Sequence, residues 1–197
     1  MFSNYDIILA SNSPRRKELL AGLDIPFEVK TLLDIDESYP ENLSGQEIPV
    51  YIAKAKADAY KQFLNTKSLL ITADTIVWLE NKVYGKPVDA ADAFSMLQAL
   101  SGKTHEVITG VCLTTTEKQV AFSAVSKVKF ATLEDTEIRY YIEKYKPYDK
   151  AGSYGVQEWI GYIGVESLEG SFYNVMGLPV RMLYQHLKTF DLGASKK

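Results

Sequence analysis

Two short apolar runs constrain the fold more than any other feature of the sequence. They occupy residues 7–10 and 69–73, the second interrupted only by Thr72, and short runs of this kind are typical of a strand that is buried on both faces. Segments with helical periodicity alternate with these strands, and residues 105–116 and 119–132 have the pattern of two long strands joined by a tight turn. We therefore predict an α/β fold with a mixed central sheet flanked by helices.

Capping residues mark where the predicted helices begin. Ser13 suits an N-cap and Pro14 the first helical position, while Ser44 and Glu47 have the spacing of a capping box. The apolar stripe of that second helix is predicted at Ile48, Ile52, Ala55 and Ala59. Further helices are predicted over residues 89–102, 133–146 and 179–190.

Two other segments are predicted to contain short strands. A strand over 69–73 is expected to end before Asp74 and Thr75, and a second strand is expected at 76–79. Residues 155–172 are predicted to form short strands separated by glycine turns.

Length and charge limit the classes to which the chain can belong. Its 197 residues predict one domain, and 22 basic against 25 acidic residues give a net charge of −3, which argues against broad nucleic-acid binding. No apolar run approaches the ~18 residues of a membrane-spanning helix.

The single cysteine, Cys112, cannot form an internal disulfide, which favours a reducing compartment and the cytoplasm. His105 and His186 are isolated, so no zinc site is expected.

The first candidate site is the turn that connects the strand at 7–10 to the first helix. Backbone N–H groups at a helix N-terminus attract anions, and Arg15 and Arg16 lie in the same turn. Guanidinium groups suit phosphate oxygens, and Ser11 adds a hydroxyl donor. The alternative is an ordinary capped helix with solvated arginines.

The second candidate is Asp74, which follows a predicted buried strand, where open α/β sheets place their ligands. Its carboxylate could hold Mg²⁺ or accept a proton from water. The alternative is an aspartate in a strand-end turn.

The third candidate is a set of cations and loop carboxylates. Lys56 borders the apolar face of its predicted helix, and Lys86 lies in a Gly-Lys-Pro turn. Each of these lysines, and Lys150, could instead be a solvated surface residue. Asp36 and Glu37 could be metal ligands, although loop carboxylates are usually solvated.

Together these segments resemble the Maf family of nucleoside triphosphate pyrophosphatases over nearly the whole chain. Six motifs occur in the family's order: LASNSPRR (9–16), ADT (73–75), GKP (85–87), SGKTH (101–105), DKAGSYGVQ (149–157) and VMGLP (175–179). The resemblance implies a single Maf-type domain over residues 1–197, with two lobes around a cleft and a fold related to the inosine triphosphate pyrophosphatases. It also implies hydrolysis of a nucleoside triphosphate to a monophosphate and pyrophosphate with a divalent metal (Mg²⁺, Mn²⁺ or Co²⁺), and a possible homodimer.

The resemblance further implies roles for individual residues. By matching position, Asp74 would be the catalytic base and, with Glu37, a metal ligand. Glu37 would assist the metal or the water, a part that the neighbouring Asp36 could also fill. The phosphates would be held by Ser11, Arg16, Lys56 and Lys86.

Three positions narrow the choice of nucleobase in the expected substrate. Arg15, Thr75 and Gln157 match the family branch that acts on dTTP and UTP, whereas the 7-methyl-GTP branch tends to carry tryptophan, glutamine and glutamate there. A methylated guanine is cationic and favours an aromatic platform and a carboxylate. A neutral glutamine amide can pair with the edge of thymine or uracil, because it offers one donor and one acceptor.

The resulting hypothesis is a dTTP and UTP pyrophosphatase that removes nucleotides from the pool. Two alternatives stay open. The chain could act on other nucleotides, such as 7-methyl-GTP, ITP or XTP, or it could be a non-catalytic nucleotide- or nucleic-acid-binding regulator of cell division.

Overall fold

The computed structural model describes residues 4–32 and 35–194. The strands are β1 (Asp6–Leu9), β2 (Glu28–Val29), β3 (Ser68–Leu79), β4 (Lys82–Tyr84), β5 (Thr104–Thr114), β6 (Gln119–Phe130) and β7 (Val165–Glu169). The α-helices are α1 (Pro14–Ala21), α2 (Glu47–Tyr60), α3 (Ala90–Leu100), α4 (Asp135–Tyr145), α5 (Trp159–Gly164), α6 (Phe172–Val175) and α7 (Val180–Ala194).

The strands form a mixed sheet in the order β2-β1-β3-β5-β6-β7, and β4 pairs with β3 outside this path. Strand β1 runs parallel to β2 and to β3, with Leu9 opposite Ile71. Strands β4 and β7 are antiparallel to β3 and β6. The tight turn between β5 and β6 is closed by Thr115, whose N–H donates to the Lys118 carbonyl at 2.8 Å. The predictions of an α/β fold, a mixed sheet with flanking helices and a hairpin are confirmed.

The chain divides into two compact units. Unit 1 comprises Met1–Asp74, Thr109–Ala124 and Gly177–Lys197, and unit 2 comprises Thr75–Ile108 and Val125–Met176.

In unit 1, helix α2 packs closely on strands β3 and β5. A Cβ atom on Gly110 of β5 would lie 2.3 Å from the carbonyl carbon of Pro49, so this backbone contact requires glycine. The fully buried alanines of α2 are Ala53 and Ala57, whereas the predicted stripe residues Ala55 and Ala59 are only half-buried. The buried face is therefore rotated slightly from the predicted one.

The start of α1 is confirmed as predicted. Ser13 is the N-cap, its hydroxyl oxygen accepts the Arg16 N–H at 3.4 Å, and Pro14 is the first helical residue. The predicted capping box of α2 forms only in part. The Glu47 carboxylate accepts the Ser44 N–H at 3.1 Å, but Gln46 occupies the N-cap and makes no side-chain cap bond.

The prediction of two strands separated at Asp74 is wrong. Strand β3 is a single strand of 12 residues, and Asp74 lies within it. Its first four residues pair with β1, and its last three, Val77 to Leu79, pair with β4. Pairing at both ends keeps the strand extended through the polar Asp74, and apolar periodicity alone does not reveal this.

The prediction of short strands over 155–172 is largely wrong. Residues 159–164 form α5, and only β7 is a strand in this segment. A Cβ on Gly161 would lie 1.8 Å from the Val156 carbonyl oxygen. This glycine therefore allows a close approach of the backbone instead of a turn.

The core of unit 2 contains a buried polar pair. His105 Nε2 lies 2.7 Å from the Tyr154 hydroxyl, and both rings contact Phe130 edge-on. Burial lowers the pKa of His105 to about 4 and raises the pKa of Tyr154. The folded protein therefore holds a neutral imidazole at this position.

This histidine should make the stability of the protein depend on pH. In the unfolded chain its pKa is 6.5, and in the fold about 4. Between these values the unfolded state binds more protons, so stability that is fully present above pH 6.5 is lost as the pH falls toward 4. We expect this residue to lower the free energy of unfolding by about 2 kcal/mol from pH 7 to pH 5.

Urea unfolding at both pH values measures the effect. From pH 7 to pH 5 the free energy of unfolding of His105→Gln should fall by about 2 kcal/mol less than that of the wild type. His186→Gln, which replaces a half-buried histidine, is the control and should change the pH dependence much less. An unchanged pH dependence in His105→Gln would contradict the assignment.

Candidate active site

A buried lysine joins two carboxylates in unit 1. Lys56 Nζ lies 2.8 Å from Asp74 Oδ1 and 3.0 Å from Glu37 Oε1. The Lys56 and Asp74 side chains are each 12% exposed, whereas that of Glu37 is 48% exposed. Lys56 is thus not a solvated surface lysine. The structure thus brings together three of the candidate site residues predicted from the sequence, Glu37, Lys56 and Asp74.

The position of Lys56 follows from how α2 is fastened to β3. The Thr72 hydroxyl donates to the Ala53 carbonyl at 2.7 Å, inside the core. Lys56 lies about one helical turn after Ala53, and Asp74 lies two residues after Thr72 on the same face of the strand. Strand β1 ends opposite Ile71, so Asp74 lies beyond the end of β1.

Arg16 approaches the same cluster from α1. Its Nε donates to the Gly177 carbonyl at 2.8 Å and its Nη1 to the Ala73 carbonyl at 2.9 Å. Burial lowers the pKa of this guanidinium, while the nearby charges of Asp74 and, more weakly, Glu37 act in the opposite direction. The ordinary pKa of an arginine is so high that the side chain stays charged even when burial lowers it. Arg16 therefore ties the backbone beside Asp74 to α1 and to the segment that precedes α7.

The turn before α1 holds Ser11 in place. Ser11 is buried, and its hydroxyl oxygen accepts the N–H of Ser13 at 3.2 Å. A hydroxyl that accepts one bond can still donate its own hydrogen, for example to a phosphate oxygen. Arg15, the next candidate, is half-buried on the first turn of α1.

The two neighbouring loop carboxylates have different surroundings. Glu37 contacts Lys56, whereas both oxygens of Asp36 accept bonds at 2.9 Å from the N–H and hydroxyl of Ser38. These bonds lower the pKa of the exposed Asp36. The geometry favours Glu37 over Asp36 as the acidic partner of the cluster.

The remaining candidates, Thr75, Lys86 and Gln157, belong to unit 2. Thr75 is half-buried in β3 and follows Asp74 directly. Lys86 is exposed, in a loop anchored by a 3.0 Å bond from the Gly152 N–H to the Gly85 carbonyl. Gln157 Oε1 is shielded from solvent and has no hydrogen-bond partner among the described residues. A shielded acceptor of this kind is suited to a ligand donor.

Unit 2 contains a second polar network that the sequence does not reveal. The Tyr141 hydroxyl donates to Glu158 Oε2, and Lys150 Nζ lies 3.1 Å from Glu158 Oε1 and 2.8 Å from Asp149 Oδ1. Lys150 is buried, so the alternative that it is a solvated surface residue is wrong. Ile138, Tyr141 and Ile142 have helical spacing, which marks Tyr141 as a buried tyrosine whose hydroxyl needs a partner. The sequence does not indicate which residue that partner is.

Residues 4–32 and 35–194 contain no group of three or more His, Cys, Asp or Glu side chains that could hold a metal ion. Of the helices that the structure describes, none has the length and apolar character needed to cross a membrane.

The fold can be compared with solved structures. The Staphylococcus aureus Ham1 protein is 15% identical, with a TM-score of 0.43 over 64% of this chain and 72% of that one. A nucleoside-triphosphatase / dITP/XTP pyrophosphatase from Mycobacterium abscessus is 18% identical, with a TM-score of 0.39 over 65% and 75%. These values are too low to establish a shared fold, so kinship with inosine triphosphate pyrophosphatases stays a prediction.

The sequence comparisons are far stronger. The family model described as "Maf-like protein" matches residues 6–190. A protein of Parabacteroides distasonis is 63% identical over 94% of this chain and 96% of its own length, and one of Phocaeicola vulgatus is 64% identical over 93% and 95%. Both are named dTTP/UTP pyrophosphatase. This chain therefore belongs to the Maf-like protein family.

Proposed function

We propose that this protein hydrolyses dTTP and UTP to the monophosphate and pyrophosphate. The names of the relatives support this activity. The observation that carries it here is the partly buried cluster of Glu37, Lys56 and Asp74, since a shielded carboxylate held by a lysine suits the activation of a water molecule.

In the proposed mechanism Asp74 is the general base. Its carboxylate takes a proton from a water molecule whose oxygen forms a bond to the α-phosphorus. The bond from the α-phosphorus to the bridging oxygen breaks, and pyrophosphate leaves with the electron pair. Lys56, 2.8 Å from Asp74, fixes the orientation of the base.

The leaving group develops negative charge, which nearby cations and hydrogen-bond donors can stabilise. We assign this role to Lys86, Arg16 and Lys56, with a hydroxyl bond from Ser11. Lys86 is exposed and therefore accessible to a phosphate. Arg16 donates to two backbone carbonyls, so much of its contribution is to hold the backbone beside Asp74.

A divalent cation fits this donor set. Asp74 Oδ1 and Glu37 Oε1 both contact the Lys56 ammonium, so the two carboxylates already share one cation. Two side-chain ligands suit Mg²⁺, which is commonly bound by one or two carboxylates together with substrate phosphates; Mn²⁺ and Co²⁺ accept the same oxygen ligands. Such an ion would neutralise charge on the triphosphate and polarise the phosphate under attack.

Base selection is assigned to Arg15, Thr75 and Gln157. The amide of Gln157 offers a donor and an acceptor to the edge of uracil or thymine, and its shielded oxygen supports that role. Arg15 disfavours a cationic base such as 7-methylguanine, because like charges repel.

We further propose that the whole chain acts as one functional domain. The family model covers both compact units, and the chain passes from one unit to the other within β3, β5 and β6. The cytoplasm suits a protein whose only cysteine, Cys112, is buried and unpaired.

Replacing Asp74 tests the mechanism. Asp74→Asn keeps the shape of the side chain but cannot accept the proton, so kcat for UTP should fall by roughly 10²- to 10⁴-fold. Pyrophosphate release measures the effect, and EDTA should abolish release by the wild type. Asp58→Asn is the matched control. Asp58 is a half-exposed aspartate on α2, and its carboxylate forms an ion pair with Lys61 at 2.7 Å. Near-normal turnover by folded Asp74→Asn would refute the role of Asp74.

Replacing the base-selecting residues tests the substrate. Arg15→Trp combined with Gln157→Glu should reduce kcat/KM for UTP by about tenfold or more, because a carboxylate cannot donate to the 4-oxo group of uracil. The control is Arg181→Trp with Gln185→Glu, which makes the same changes at exposed positions of α7. Unchanged kcat/KM for UTP in the first double variant would contradict the assignment.

A further inference from the structure

Gln157 lies in a four-residue turn, Gly155 to Glu158, that is closed by its own backbone. The Glu158 N–H donates to the Gly155 carbonyl at 3.0 Å. The next residue, Trp159, begins α5, and Glu158 is its N-cap. An acidic N-cap usually accepts an N–H of its own helix, but the Glu158 side chain makes no such bond.

The Glu158 carboxylate instead faces α4. Tyr141 on that helix donates its hydroxyl to Glu158 Oε2 and accepts the Gly155 N–H at 3.0 Å. One phenol group therefore bridges the two ends of the turn that carries Gln157, and its bonding capacity is filled by one bond given and one received. Lys150 holds the other carboxylate oxygen at 3.1 Å.

The packing around this bridge leaves little freedom. Tyr141 is fully buried, and burial together with its bond to Glu158 raises the pKa of the phenol, which keeps it protonated as a donor. A Cβ on Gly155 would lie 2.7 Å from Glu158 Cδ, so the carboxylate lies directly against this glycine. The turn is thus fixed by side chains that no part of the proposed chemistry uses.

We propose that Tyr141 and Glu158 are positioning residues that set the orientation of the Gln157 amide and thereby the choice of base; this rests on the proposed function. The physical reason lies in the symmetry of the amide. An amide in one orientation matches the 4-oxo group and N3–H of uracil, whereas the flipped amide matches the 4-amino group and N3 of cytosine. Discrimination between UTP and CTP therefore requires a turn that does not loosen.

The test compares kcat and KM for UTP and CTP across a set of variants. Tyr141→Phe removes only the bridging hydroxyl and should lower the UTP-to-CTP ratio of kcat/KM by about tenfold, chiefly through KM for UTP. Glu158→Ala should do the same with the tyrosine intact, and Glu158→Gln, which still accepts from Tyr141, should restore most of the ratio. Tyr140→Phe, at a half-exposed tyrosine of the same helix, should leave it unchanged.

Hydrogen exchange provides a readout that does not depend on turnover. The Gly155 amide should exchange faster in Tyr141→Phe than in the wild type or in Tyr140→Phe, because it loses its acceptor. If folded Tyr141→Phe and Glu158→Ala lose activity on UTP and CTP equally, the positioning role is overturned and the proposed function stands. If the wild type hydrolyses neither dTTP nor UTP, the proposed function fails, and this inference fails with it.

Discussion

The ion cluster around Lys56 is the interaction on which the rest of the site depends. A lysine removed from water is stable only if its charge is matched, and here Asp74 and Glu37 match it at 2.8 and 3.0 Å. That requirement fixes the register of α2 against β3, which the bond from Thr72 to Ala53 secures from inside the core. The packing of a helix on a strand thus determines where Asp74, the proposed base of the reaction, lies.

Charge explains why such a site must be local. The chain carries a net charge of −3, so its overall field does not attract a triphosphate, and screening limits long-range attraction to about 10 Å at moderate salt. In the proposed function phosphate binding therefore depends on individual donors, such as Ser11 and the exposed Lys86. Arg16 shows that a cation near the site also has a structural function, since its described bonds go to backbone carbonyls.

The sequence predicted elements whose signals are local and missed contacts that depend on tertiary structure. Pro14 after an N-cap serine located the start of α1, because capping is a property of adjacent residues. Apolar periodicity divided β3 at Asp74, because a polar residue in a strand that is paired at both ends looks like a break. The sequence predicts a turn at Gly161, because a close approach of two backbone segments leaves no trace in composition. Family motifs supplied candidate residues, but the bridge from Tyr141 required coordinates.

In the proposed mechanism water attacks the α-phosphorus of the nucleotide. Hydrolysis of UTP in ¹⁸O-labelled water, followed by mass spectrometry of the products, identifies the phosphorus atom that is attacked. We expect one labelled oxygen in UMP and none in pyrophosphate, because the new bond forms at the α-phosphorus. Label in pyrophosphate, or release of UDP with labelled phosphate, would place the attack at the β- or γ-phosphorus and refute the mechanism.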